Sequence, residues 1–91
     1  MRRLIWRAQA LADLDRIHAW LSTVEIAEPD RAMHHIRAAA NGLIRFGDIG
    51  RPSRIEGVRE LSVRVAPYVI AYRVNSDAID ILPVYHNAQN Q

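Results

Sequence analysis

The chain has 91 residues, 49% of them hydrophobic, with 12 basic and 10 acidic side chains and no cysteine. This length suits one domain, 1–91, with a thin stability margin, and leaves no room for a second core. The lack of cysteine excludes disulfides, thiolate chemistry and a cysteine-based zinc site, and a formal charge of +2 is too small to mark a nucleic-acid binder by itself.

Met1-Arg2-Arg3 is basic, but the apolar stretch after it is interrupted by Arg7, Gln9, Asp13 and Asp15. It therefore reads as neither signal peptide nor membrane span, and a cytoplasmic protein is expected. Leu4-Ile5-Trp6 is apolar and β-compatible, a first strand. From Ala8 the period changes. Ala10, Leu14, Ile17 and Leu21 fall on one side of a helix running to about Ser22, with Asp13, Asp15 and Arg16 assigned to the polar side. Pro29 and Asp30 suit the first turn of a second helix, whose buried face is expected to be Ala32, Ile36, Ala39, Leu43 and Phe46, with Gly47 as its stop. Alanines at 38, 39 and 40 allow a close antiparallel hairpin of the two helices.

The stretch from Gly47 to Gly57 contains Gly50 and Pro52 and reads as a loop. Leu61, Val63 and Val65 then alternate with Glu60, Ser62 and Arg64, the pattern of a half-buried strand. Ala66-Pro67 makes a corner, Tyr68 to Val74 a further strand, and Asn75-Ser76-Asp77 a hairpin turn. Ile79 to Tyr85 is apolar on both faces in its middle, hence an interior strand, and Pro83 predicts a bulge because it removes a ladder donor. The polar tail His86-Asn87-Ala88-Gln89-Asn90-Gln91 is expected to be mobile unless a partner orders it. The order β-α-α-β-β-β predicts an α+β fold: an N-terminal strand and an antiparallel helical hairpin packed on one face of an antiparallel β-sheet. The other face is left for solvent, partner or substrate.

Several segments carry a resemblance. Trp6 through Leu14 resembles the strand-to-helix opening of ParE/RelE toxins. Gly50-Arg51-Pro52 followed by Gly57-Val58-Arg59-Glu60-Leu61 resembles their loop and next strand. Pro67 through Val74 and Ile81 through His86 resemble their closing hairpin. The match spans Leu4 to Gln89 in family order. It implies the toxin of a type II toxin–antitoxin system, a hetero-oligomer with a cognate antitoxin whose acidic or amphipathic C-terminal segment folds on the toxin. It implies no membrane and no cofactor. ParE-like members act on DNA gyrase, and RelE-like members cut mRNA on the ribosome.

Metal-independent cleavage of RNA needs a base for the 2′-hydroxyl, a cation for the developing charge and an acid for the leaving oxygen. Every basic residue here is arginine, so the lysine that RelE resembles in using is missing. Glu60 or Glu56 as base, Arg59, Arg64 or Arg73 as clamp, and Tyr85 or His86 as acid are the available substitutes, with Glu60, Arg64, Tyr85 and His86 the set expected if the chain is a ribonuclease. Alternation places Glu60 and Arg64 together and Arg59 opposite; an exposed ion pair explains the same charges. Arg31, His34, Asn41 and Arg45 form a polar stripe on the second helix. With Arg59 and Arg73 they are candidates for contact with antitoxin or target, or a solvated face. His34 and His35 point in different directions and His18 stands alone, so no metal site is expected. The absence of a convincing acid–base–clamp set favours the gyrase-directed, ParE-like reading. A RelE-like endoribonuclease and an inactive toxin-fold interaction module are the alternatives.

Overall fold

The computed structural model describes residues 2–24, 28–63 and 67–86. Its elements are β1 (Arg3–Trp6), α1 (Ala8–Leu21), α2 (Pro29–Gly42), β2 (Arg51–Pro52), β3 (Arg59–Ser62), β4 (Tyr68–Val74) and β5 (Ala78–His86). The expectations placed on Arg64, Val65, Ala66 and the tail after His86 lie outside the described residues.

The helices form where the period suggested. One residue, Arg7, with extended backbone, turns β1 directly into α1. Pro29 opens α2 and Asp30 lies in its first turn, where the missing N–H costs nothing and a negative charge meets the helix dipole. In α1 the buried residues are Ala10, Asp13, Leu14 and Ile17. Asp13, sorted to the polar side by its charge, is only 2% exposed, because a residue three positions after Ala10 and one before Leu14 shares their face.

The second helix stops earlier than expected, at Gly42 and not Gly47. After it the chain tightens, with Leu43 N–H donating to the Ala40 carbonyl and Ile44 N–H to that of Asn41. The helical phase therefore ends before Phe46, which is 58% exposed, whereas Ile36, Ala40 and Leu43 are buried. Ala39 packs only partly against the core. Gly47 is buried instead, where a Cβ would meet the Val74 and Ile79 side chains.

The five strands make one sheet in the order β1-β5-β4-β3-β2. The pairs β2–β3, β3–β4 and β4–β5 are antiparallel, as hairpin-type links require. β1 instead runs parallel to β5, Leu4 beside Ile79 and Trp6 beside Ile81, so the sheet is mixed. The strand-to-strand direction follows from the path of the helical crossover, which periodicity does not encode. In β4–β5 the partners change from Ile70↔Val84 to Tyr72↔Ile81, so Leu82 and Pro83 together oppose Ala71. This is the bulge anticipated from Pro83, and it turns both residues toward one face.

Both helices cover the face bearing Ile70, Tyr72, Ile79, Ile81 and Val84, which join Ala10, Leu14, Ile17, Ile36 and Leu43 in one core. Trp6 packs against this core and lies under the Arg37 guanidinium, 5.3 Å from the ring centre. Trp20 is 58% exposed at the rim. Cross-strand partners share a face, so Glu60, Ala71, Arg73, Val69, Tyr85 and Asp80 all belong to the opposite, open face. No described helix is long and apolar enough to cross a membrane.

Candidate functional site

The open face holds a polar cluster built from three strands. The Tyr85 hydroxyl on β5 donates to Glu60 Oε2 on β3 at 2.5 Å, and Arg51 Nε on β2 donates to Glu60 Oε1 at 3.3 Å. Glu60 is largely covered while Arg51 reaches solvent. Burial, then the hydrogen bond and negative charge of Glu60, push the Tyr85 pKa up to about 12 against the pull of Arg51. Tyr85 is therefore a committed donor at neutral pH. Glu60, with one oxygen on Tyr85 and the other on Arg51, is an oriented carboxylate.

Arg51 stood in the sequence only as part of a loop motif. Its strand is two residues long, too short for alternation to reveal a face. What holds it is the preceding turn. Tyr72, fully buried, donates its hydroxyl to the Gly47 carbonyl at 2.7 Å and accepts from Gly50 N–H at 2.9 Å. Arg59 points to the helix side, as its alternation implied, and Nη1 donates to the carbonyls of Gly50 at 2.7 Å and Asp48 at 3.3 Å. Its guanidinium is thus engaged in tying down the turn that delivers Arg51.

The other candidates are dispersed. Arg73 lies exposed on the open face opposite Asp80, and Asp80 is held by Asn75 and forms an ion pair with Arg7 at 2.7 Å that lacks hydrogen-bond alignment. His86 is on the helix side, edge-on to Tyr68 at 5.6 Å, lining a 420 Å³ pocket with Arg16, Ile17, Trp20 and Tyr85. The cluster therefore joins Glu60 to Tyr85 but leaves His86 on the other face, and Arg64 is outside the described residues. Glu56 is exposed in the β2–β3 loop. Arg31 pairs with Glu28, the residue just before its helix, at 3.2 Å, and His34 and Arg45 are exposed. His18, expected to stand alone, sits 3.0 Å from Asp30 and bridges the two helices. Among the described residues no three His, Cys, Asp or Glu side chains are grouped to hold a metal.

The family model described as ParE toxin of type II toxin-antitoxin system, parDE, matches residues 4–91. The chain belongs to the ParE toxin family. It is 35% identical over 88 residues to a putative toxin, Y4kP, of Sinorhizobium fredii, covering 97% of this chain and 91% of the relative. It is 32% identical to toxin RelE3 of Caulobacter vibrioides, covering 91% of each. Among solved structures, the chromosomal ParDE toxin–antitoxin system of Pseudomonas aeruginosa contains a chain 27% identical with a TM-score of 0.72, covering 94% of this chain and 96% of that one. A chain of the RelBE2 toxin–antitoxin complex of Mycobacterium tuberculosis, 22% identical with a TM-score of 0.64 and covering 93% and 96%, shares the fold. The expected α+β architecture, with its helical hairpin on one sheet face, is thus the ParE/RelE toxin fold.

Proposed function

We propose that this ParE-family toxin acts as a ParE-like poison of DNA gyrase, neutralised by a cognate antitoxin. The observation that carries the reading is the mutual engagement of Glu60 and Tyr85. The base and acid that an RNA-cleaving site would need are bonded to each other, and His86 lies across the sheet from them. A donor with a pKa near 12 is poorly matched to proton transfer at neutral pH. The likeness to the Pseudomonas aeruginosa ParDE toxin, at 27% identity, supports the same branch. An antitoxin partner is supported by that system and by the RelBE2 complex.

A second reading, ribosome-dependent cleavage of mRNA, is favoured by one feature. Glu60, Arg51 and Tyr85 do share an open sheet face, and substrate could draw Arg51 or Tyr85 away from Glu60. The two readings separate in one experiment. Wild type, Glu60→Gln and His86→Ala are induced in cells, and plasmid topology and mRNA integrity are followed together. Altered supercoiling with intact messages, undiminished in Glu60→Gln, is expected. Cleaved messages with normal supercoiling, abolished in Glu60→Gln, would overturn the gyrase reading. Unimpaired growth on induction of wild type would point to the interaction module.

A further inference from the structure

We propose that the groove between the β2–β3 loop and the β5 bulge is a docking site for an acidic segment of the antitoxin with an apolar anchor residue. This rests on the antitoxin reading above and gives that partner a place and a chemistry. The groove encloses about 710 Å³ on the open sheet face. Its floor is apolar for a specific reason. The bulge turns Leu82 and Pro83 to the same side, opposite Ala71, where regular alternation would have sent one of them into the core. Pro52 and Ile55 form the outer wall, and Ile55 is 65% exposed.

The rim is cationic. Arg51 and Arg54 line it, and Arg73, two positions beyond Ala71 on the same face of β4, stands outside the lining, its Nε 3.7 Å from where a Cβ on Gly57 would lie. Glu60, the one carboxylate of the lining, is occupied by Arg51 and Tyr85. No carboxylate among the described residues pairs with Arg54 or Arg73, and Asp80 across from Arg73 is already taken by Arg7 and Asn75. An arginine-bearing rim whose one carboxylate is already engaged, set around an apolar floor, matches a peptide whose acidic side chains flank a leucine-sized anchor.

Two other occupants fit less well. Single-stranded nucleic acid needs flat rings for its bases, and the lining contains none, while Glu60 would face phosphate. A second copy of the chain would bring a net charge of +2 to an arginine rim.

The test uses the full toxin and the antitoxin encoded beside it, titrated by calorimetry at low and high salt. Arg54→Glu and Ile55→Ser change exposed side chains in a loop, and circular dichroism checks that each variant keeps the wild-type fold. Each is expected to weaken binding about tenfold or more, and Arg54→Glu to flatten the salt dependence. Arg37→Glu, exposed on α2 on the helix-covered side of the sheet, is the control and should bind like wild type. If wild type binds but both groove variants bind within about twofold of it, the site is overturned while the antitoxin reading stands. If wild type does not bind the antitoxin at all, the partner reading falls and this site with it. Groove variants that keep antitoxin affinity but lose growth inhibition would assign the groove to the toxin's target and also overturn the proposal.

Discussion

Tyr72 shows how much a single side chain organises here. Its ring is in the core and its hydroxyl joins the Gly47 carbonyl to the Gly50 N–H, 25 and 22 residues earlier in the chain. Tyr72→Phe keeps the ring but leaves a buried carbonyl and a buried N–H unpaired, and about 2 kcal/mol of stability should be lost in urea denaturation. Gly50→Ala should cost more. A Cβ there would stand 2.5 Å from the Tyr72 oxygen and 2.8 Å from the Glu60 carbonyl, and the second is backbone that has no room to yield. Combining Gly50→Ala with Tyr72→Phe should therefore not rescue it. At this scale the sequence identified the right residue types and missed their partners. Tyr72 falls on one side with Ile70 and Val74 by the period of the Tyr68–Val74 strand. The turn it bonds belongs to a glycine-containing loop with no period to read.

Between elements, the instructive contact is that of α1 with β5. β1 covers β5 only from Ala78 to Ile81, and beyond that point the Val84 N–H donates to Asp13 Oδ2 at 3.0 Å. Asp13 Oδ1 meanwhile accepts from Gln9 and Arg16, one turn on either side. A buried carboxylate is tolerable because all its contacts are donors. Asp13→Ala strips a strand end of its acceptor and should destabilise by about 2 kcal/mol, read as a lowered denaturation midpoint with unchanged cooperativity. A change below about 0.5 kcal/mol would mean that water replaces Asp13 at Val84. Both helix starts, four of the five strands and the bulge at Pro83 were legible at this scale; β2, inside the expected loop, was not. The burial of Asp13 was not, because charge type outweighed helical position in sorting the faces of α1.

For the molecule as a whole, the absence of lysine combined with covered tyrosines makes alkaline behaviour a sharp test. All three tyrosines have raised pKa values, Tyr68 and Tyr72 chiefly by burial and Tyr85 to about 12. A group whose folded pKa is raised contributes stability that is fully present below its unfolded value, about 10 for tyrosine, and lost as pH rises through the folded value. Stability should stay level up to about pH 10 and then fall toward pH 12, with arginine still charged and no lysine titrating in between. Tyr85→Phe should make the fall shallower. Ultraviolet titration of tyrosinate in the folded protein checks the cause: ionisation of Tyr85 at an ordinary pKa would show that its bond to Glu60 does not persist.

The amino-acid sequence by itself determined the two helices, four of the five strands and their order along the chain, because helical and strand periods, proline and turn residues act over a few neighbours. It also supplied the resemblance that the ParE family match bears out. Tertiary structure decided what depends on distant residues meeting. It set β1 parallel beside β5 and turned Arg59 inward to hold the Gly50 turn. It also brought Glu60 to Tyr85 across 25 residues and set Arg51 and Arg54 around one groove with the bulge. Those meetings are set by the packing of the whole sheet against two helices, a three-dimensional constraint that no local pattern carries.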